Sequence, residues 1–86
     1  MDKSDLFSEA LSKSEALRSR YPEMKTLESI INQISYLIKL ERGTVKDKTR
    51  LKDIILDVQA AREIENLDLD LAETLYLVAK AAREMN

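Results

Sequence analysis

Apolar residues recur along this chain at three- and four-residue intervals in four separate stretches, with turn-forming residues between them. Leu6, Phe7, Ala10, Leu11 and Leu17 make the first stripe, and Lys13, Glu15 and Arg18 fall off it. Leu27, Ile30, Ile31, Ile34, Leu37, Ile38 and Leu40 make a wider second face. Leu51, Ile54, Ile55, Val58 and Ala61 make a third, and Leu71, Leu75, Val78, Ala82 and Met85 a fourth. Such spacing gathers each set on one side of an α-helix. Strand-like alternation occurs in LDLDL, residues 67–71, which is too short to form a sheet without a partner. It reads as a turn leading into the last helix.

The polar punctuation sets the helix ends. Asp2 or Ser4 can cap the first helix, with Asp5 and Glu9 near the positive end of its dipole. Tyr21 precedes a proline and must leave the α region, so the helix stops there. Pro22, the one proline, suits the first position of the second helix, where its missing N–H would have no partner. Gly43, the one glycine, fits the left-handed position just past its end. Thr44 or Asp47 can cap a third helix that frays near Glu65-Asn66, and Asp68 a fourth. The predicted fold is all-α: a compact antiparallel four-helix bundle in one domain, 1–86, with helices at about 3–20, 22–42, 46–65 and 69–85. The alternative is an elongated pair of hairpins that needs a second copy to bury its surface.

Composition then removes function classes. Eighty-six residues support one modest core, with a folded surface of roughly 5,200 Å². Cysteine, histidine and tryptophan are absent, which excludes disulfides, thiolate or imidazole metal sites and histidine-based catalysis. A single glycine excludes the glycine-rich phosphate loops. The carboxylate pairs Asp53/Asp57 and Glu63/Glu65 read as a solvated helix face. The expectation is a non-enzyme with no cofactor and no metal. The opening MDKSDLF carries both signs of charge, and no apolar run approaches the roughly 20 residues of a membrane span. The expected location is cytoplasmic, with no membrane partner.

Charge is unevenly spread behind a net of −2. Residues 13–52 hold ten Lys and Arg against five acids, whereas residues 53–76 hold seven acids against Arg62 alone. The basic run KDKTRLK, residues 46–52, could touch phosphates, but no aromatic residue interleaves with it and the whole chain is acidic. A solvated helix start is the preferred reading, and no nucleic-acid partner is expected. The tyrosines are candidates for binding instead. Tyr36 lies two residues from both Ile34 and Ile38, roughly 160–200° off their stripe. Tyr21 is expected at the core edge.

The order of these features resembles a family. Leu17 with Arg20-Tyr21-Pro22, then Gln33-Ile34 and Tyr36, then Thr49-Arg50-Leu51 come first. The run Ala60, Arg62, Glu63, Glu65, Asp68, Asp70, Leu71 and Ala72 completes the pattern, which is similar to the small helical immunity proteins of type VI secretion. The resemblance spans roughly residues 6–80. The chain departs from the family pattern at Asp68-Leu69, where the family has Asp-Pro, and at Ile64, where it has an aromatic.

What the resemblance implies is an antitoxin that binds a cognate effector toxin, an NAD(P)+ glycohydrolase, and blocks its active site. The acidic segment would then be the toxin-facing surface: Asp57, Glu63, Glu65, Asp68, Asp70 and Glu73, with Tyr36 and Tyr76 as anchors. The alternative is a helical adaptor whose surplus apolar surface is its own dimer interface. A homodimer of the free protein is compatible with either.

Overall fold

The computed structural model describes residues 2–85, and among these it is all-helical with four helices. Helix α1 spans Lys3–Arg20, and the Asp2 carboxylate accepts the Asp5 N–H at 2.9 Å. That bond satisfies one of the orphan donors of the first turn. Phe7, Ala10, Ser14 and Leu17 form its buried stripe, while Leu6 and Leu11 are half-buried at the margin.

Helix α2 spans Lys25–Glu41, three residues later than Pro22 predicts. Pro22 does not open the helix. It occupies the second position of a turn closed by Met24 N–H on the Tyr21 carbonyl at 3.1 Å, where a fixed φ near −65° is equally suited. Tyr21 is exposed in that turn rather than packed at a core edge, with Arg20 over its ring at 5.7 Å. At the other end Gly43 has φ 79°, Thr44 N–H bonds the Lys39 carbonyl at 2.9 Å and Gly43 N–H that of Leu40 at 3.2 Å. This pair of bonds closes the helix in the manner that favours glycine.

The third segment is not the single helix predicted over 46–65. A 3₁₀ turn runs Thr49–Asp53, the chain is extended at Ile54, and helix α3 spans Leu56–Gln59. It continues as a π turn, Ala60–Ile64, closed by Glu65 N–H on the Ala60 carbonyl at 2.9 Å. The break has a polar cause. The Gln33 side-chain oxygen accepts the Ile55 N–H at 2.9 Å, and its nitrogen donates to Gln59 at 2.7 Å and to Ser29 Oγ at 3.2 Å. A glutamine on α2 thus takes the N–H that helix continuation would have used. The buried stripe becomes Leu56, Ala60 and Ile64, and Ile55, Val58 and Ala61 turn outward.

Helix α4 spans Leu69–Arg83, with the Asp68 carboxylate accepting Leu71 N–H at 3.0 Å. Leu71, Leu75, Val78 and Ala82 point inward as their spacing predicts, joined by Ala72, Thr74, Ala79 and Ala81. Helix α1 packs against α2 and α4, and α4 packs against α3 and the π turn. The radius of gyration is 12.0 Å, the value of about 12 Å expected of a compact chain of this length. Among the described residues no helix is long and apolar enough to cross a membrane, and no three acidic residues gather as metal ligands.

Ser14 lies in the α1 stripe with its hydroxyl buried and, among the described residues, without a partner. Leaving such a group unpaired costs about 1–3 kcal/mol. Ser14→Ala is therefore expected to stabilise the protein by about 1 kcal/mol, aided by alanine's helix propensity. A denaturant titration showing a lower midpoint would mean that the hydroxyl has a partner after all.

Candidate partner-binding surface

The chain from Ile55 to Tyr76 carries all six acidic residues expected to meet a partner, and the fold ties every one but Glu73 down. Asp57, at the start of α3, receives the Arg83 guanidinium from α4, and its other oxygen accepts Val58 N–H at 3.0 Å. Glu63 accepts the Thr26 hydroxyl from α2, and Glu65 accepts the Tyr76 hydroxyl from α4. Asp68 is the cap of α4. Asp70 reaches back to Lys13 on α1 at 2.8 Å, and Lys13 also holds Glu9 at 3.1 Å and Thr74 Oγ1 at 3.2 Å. Glu73 is exposed and makes no ion pair or hydrogen bond among the described residues. These contacts link the segment to every other helix, so the carboxylates stand on a fixed frame rather than a mobile loop.

The electrostatics follow from the partners. The hydrogen bond to Asp70 holds the Lys13 ammonium above the usual lysine range, opposed by desolvation and supported further by Glu9. The Tyr76 phenol is pushed up to about 12, first by its hydrogen bond to Glu65, then by partial burial and the charges of Glu65 and Asp57. Ionising Tyr76 would remove the donor and place two anions together. Stability from this contact is thus complete below the ordinary tyrosine value of about 10 and is lost as pH rises through about 12. Glu65→Gln is expected to return the Tyr76 titration toward about 10, read from its ring-carbon shift in an NMR pH series. An unchanged midpoint would show that Glu65 is not the cause.

Tyr36 does not join this surface. Its side chain is buried at 7% exposure, its hydroxyl donates to the Asp47 carbonyl at 2.6 Å, and Arg50 lies over its ring at 5.1 Å. Its angular offset from the Ile34–Ile38 stripe was real, but the 45–50 loop folds over that side of α2. Tyr36 is therefore a pillar under the loop, not an exposed anchor. Asp47 fixes the loop in turn by accepting Thr49 N–H at 2.9 Å, which, with Arg50 nearby, holds its carboxyl below the usual range.

The residues that sequence reasoning missed are apolar. Ile55, Val58, Leu67 and Leu69 are 47%, 46%, 43% and 57% exposed, and they are four of the six large hydrophobics left at the surface among the described residues. They interleave with the acidic side chains along residues 55–69. Ile55 and Val58 share a helical stripe with Leu51, which predicts them in the core. The competing stripe of Leu56, Ala60 and Ile64 was equally legible, and Gln33 decides between them. Leu67 and Leu69 follow from Asp68 being a cap, since a cap's neighbours lie at the helix end rather than in its packed face.

A family model described as Tsi6 matches residues 2–84. The chain belongs to the Tsi6 family. This is a family of type VI secretion immunity proteins and not an enzyme family, so a Tsi6 chain binds a cognate effector toxin. No curated protein and no solved structure matches the chain. The match takes in α1 through α4.

Proposed function

We propose that this protein neutralises an effector whose toxin domain hydrolyses NAD(P)+, by seating residues 57–73 and Tyr76 in the toxin's active-site cleft and keeping the dinucleotide out. The observation that carries this reading is the coincidence, in one stretch, of the net charge of −6 over residues 53–76 and four of the six large hydrophobics exposed among the described residues. Singly exposed apolar residues are normal, but a concentration rimmed by charge is the make-up of a docking surface. A cleft built for a pyrophosphate presents positive charge, and an acidic surface speeds association with it. Asp57, Glu63, Glu65, Asp68 and Asp70 keep their places through contacts within the protein, so little side-chain ordering is lost on binding. Tyr36, buried beneath the 45–50 loop, is not one of the side chains that enter the toxin's cleft. Protection of this kind operates in the cytoplasm, where the dinucleotide pool lies.

The test is a titration of the effector's toxin domain with this protein, following NAD+ by its conversion in a coupled assay and stoichiometry by sedimentation. Hydrolysis is expected to stop at one equivalent, with a 1:1 complex. A bound effector that keeps hydrolysing NAD+ would refute active-site occlusion. A tight dimer of this chain that ignores the effector would instead support the adaptor reading.

A further inference from the structure

A second feature lies beside this surface and is of opposite sign. Asn32, Ser35, Tyr36 and Lys39 of α2 and Val45, Asp47 and Arg50 of the following loop line a cleft of about 470 Å³. We propose that this cleft receives an Asp or Glu side chain from an acidic stretch of the effector, gripped by the Arg50 guanidinium; the proposal rests on the immunity reading above.

Three observations carry it. First, residues 39–52 hold six Lys and Arg against Glu41 and Asp47, and all six cations are exposed. Among the described residues neither Lys39 nor Arg50 is in an ion pair, and Asn32 and Ser35 make no side-chain hydrogen bond. The one anion in the cleft, Asp47, accepts the Thr49 N–H and lies near Arg50 without forming an ion pair with it.

Second, Arg50 is held in advance. Its guanidinium stacks on the Tyr36 ring, which is fixed by its own bond to the Asp47 carbonyl, so the planar fork loses little freedom on taking a carboxylate. Third, the cleft and the proposed toxin-facing surface are neighbours along the chain: Arg50 precedes exposed Ile55 and Val58, and the Ile55 N–H is held by Gln33 of α2, the helix that also lines the cleft.

A carboxylate is favoured over a nucleic-acid phosphate on the same grounds. The Tyr36 face is covered by Arg50, which leaves no ring for a base to stack on. The adjoining segment, with its excess of acids, would repel a polyphosphate backbone.

The full-length protein and the toxin domain would be compared by calorimetry for the native chain, Arg50→Glu, Arg50→Lys and Lys39→Glu, with helicity checked by circular dichroism. Arg50→Glu is expected to weaken binding by at least about 30-fold, as when one partner of a desolvated ion pair is lost. Arg50→Lys, which keeps the charge and loses the fork, is expected to fall between. If Arg50→Glu binds as the native chain does while changes at Leu69 and Glu73 weaken the complex, the cleft proposal fails and the immunity reading stands. A native chain that does not bind the toxin overturns both. If Arg50→Lys binds as the native chain does, simple charge suffices and the grip is wrong. Tight binding of a labelled duplex oligonucleotide that is lost in Arg50→Glu would reassign the cleft to phosphate.

Discussion

Replacing Phe7 with alanine is expected to destabilise the protein by about 3–5 kcal/mol, the largest loss available to a single side chain here. Phe7 is fully buried on α1, is the chain's only phenylalanine, and tryptophan is absent. Around it the core is built mainly of Leu, Ile, Val and Ala, and the other buried aromatic, Tyr36, is held in place by its bond to the Asp47 carbonyl, so no neighbour is free to fill the gap. A chain of this size has roughly 4–13 kcal/mol in all, so the change removes a large share of it. Thermal denaturation followed by circular dichroism should show the midpoint fall by more than about 12 °C. The loss would also reach the partner surface, because α1 carries the Lys13 that holds Asp70. A fall of only a few degrees would show that α1 closes onto the cavity, and that its packing is looser than full burial of Phe7 implies.

What could be read from the sequence tracks how local its cause is. The Asp2 and Asp68 caps and the Gly43 stop depend on atoms within five residues, and each is where the residue type requires it. Pro22 predicts a helix start three residues too early because a fixed φ serves a helix start and a β-turn equally well. The third segment was lost to a contact 22 residues away, the Gln33 side chain on Ile55 N–H, which no local pattern contains. That one polar contact moved Ile55 and Val58 from the core to the surface. Tyr36 was buried by a similar non-local cause, the loop folding back over α2. The acidic character of the site was plain from composition alone, but its apolar half was not. It arises where a tertiary hydrogen bond overrides the helical period.

The combined change Leu69→Ala and Glu73→Lys is expected to leave the fold intact and to cost most of the protection against the toxin. Both side chains are exposed, Leu69 is the first residue of α4 where packing is least, and Glu73 has no partner among the described residues, so stability should move by no more than about 1 kcal/mol. At an interface the two act on different steps. An apolar side chain near the centre of a docking surface slows dissociation, and its truncation there costs about 2 kcal/mol or more, close to 30-fold in affinity. A reversed charge at the rim chiefly slows association and flattens its dependence on salt. Stopped-flow binding to the toxin domain should therefore show a faster off-rate from Leu69→Ala alone and a slower on-rate from Glu73→Lys alone. The double variant should show both, together with NAD+ loss at one equivalent. Both rates unchanged in the double variant would place the toxin on another face of the molecule. Slower association with an unaltered off-rate would mean that the acidic segment steers the toxin while the apolar contacts lie elsewhere, with Leu77 on the outer side of α4 the next residue to change.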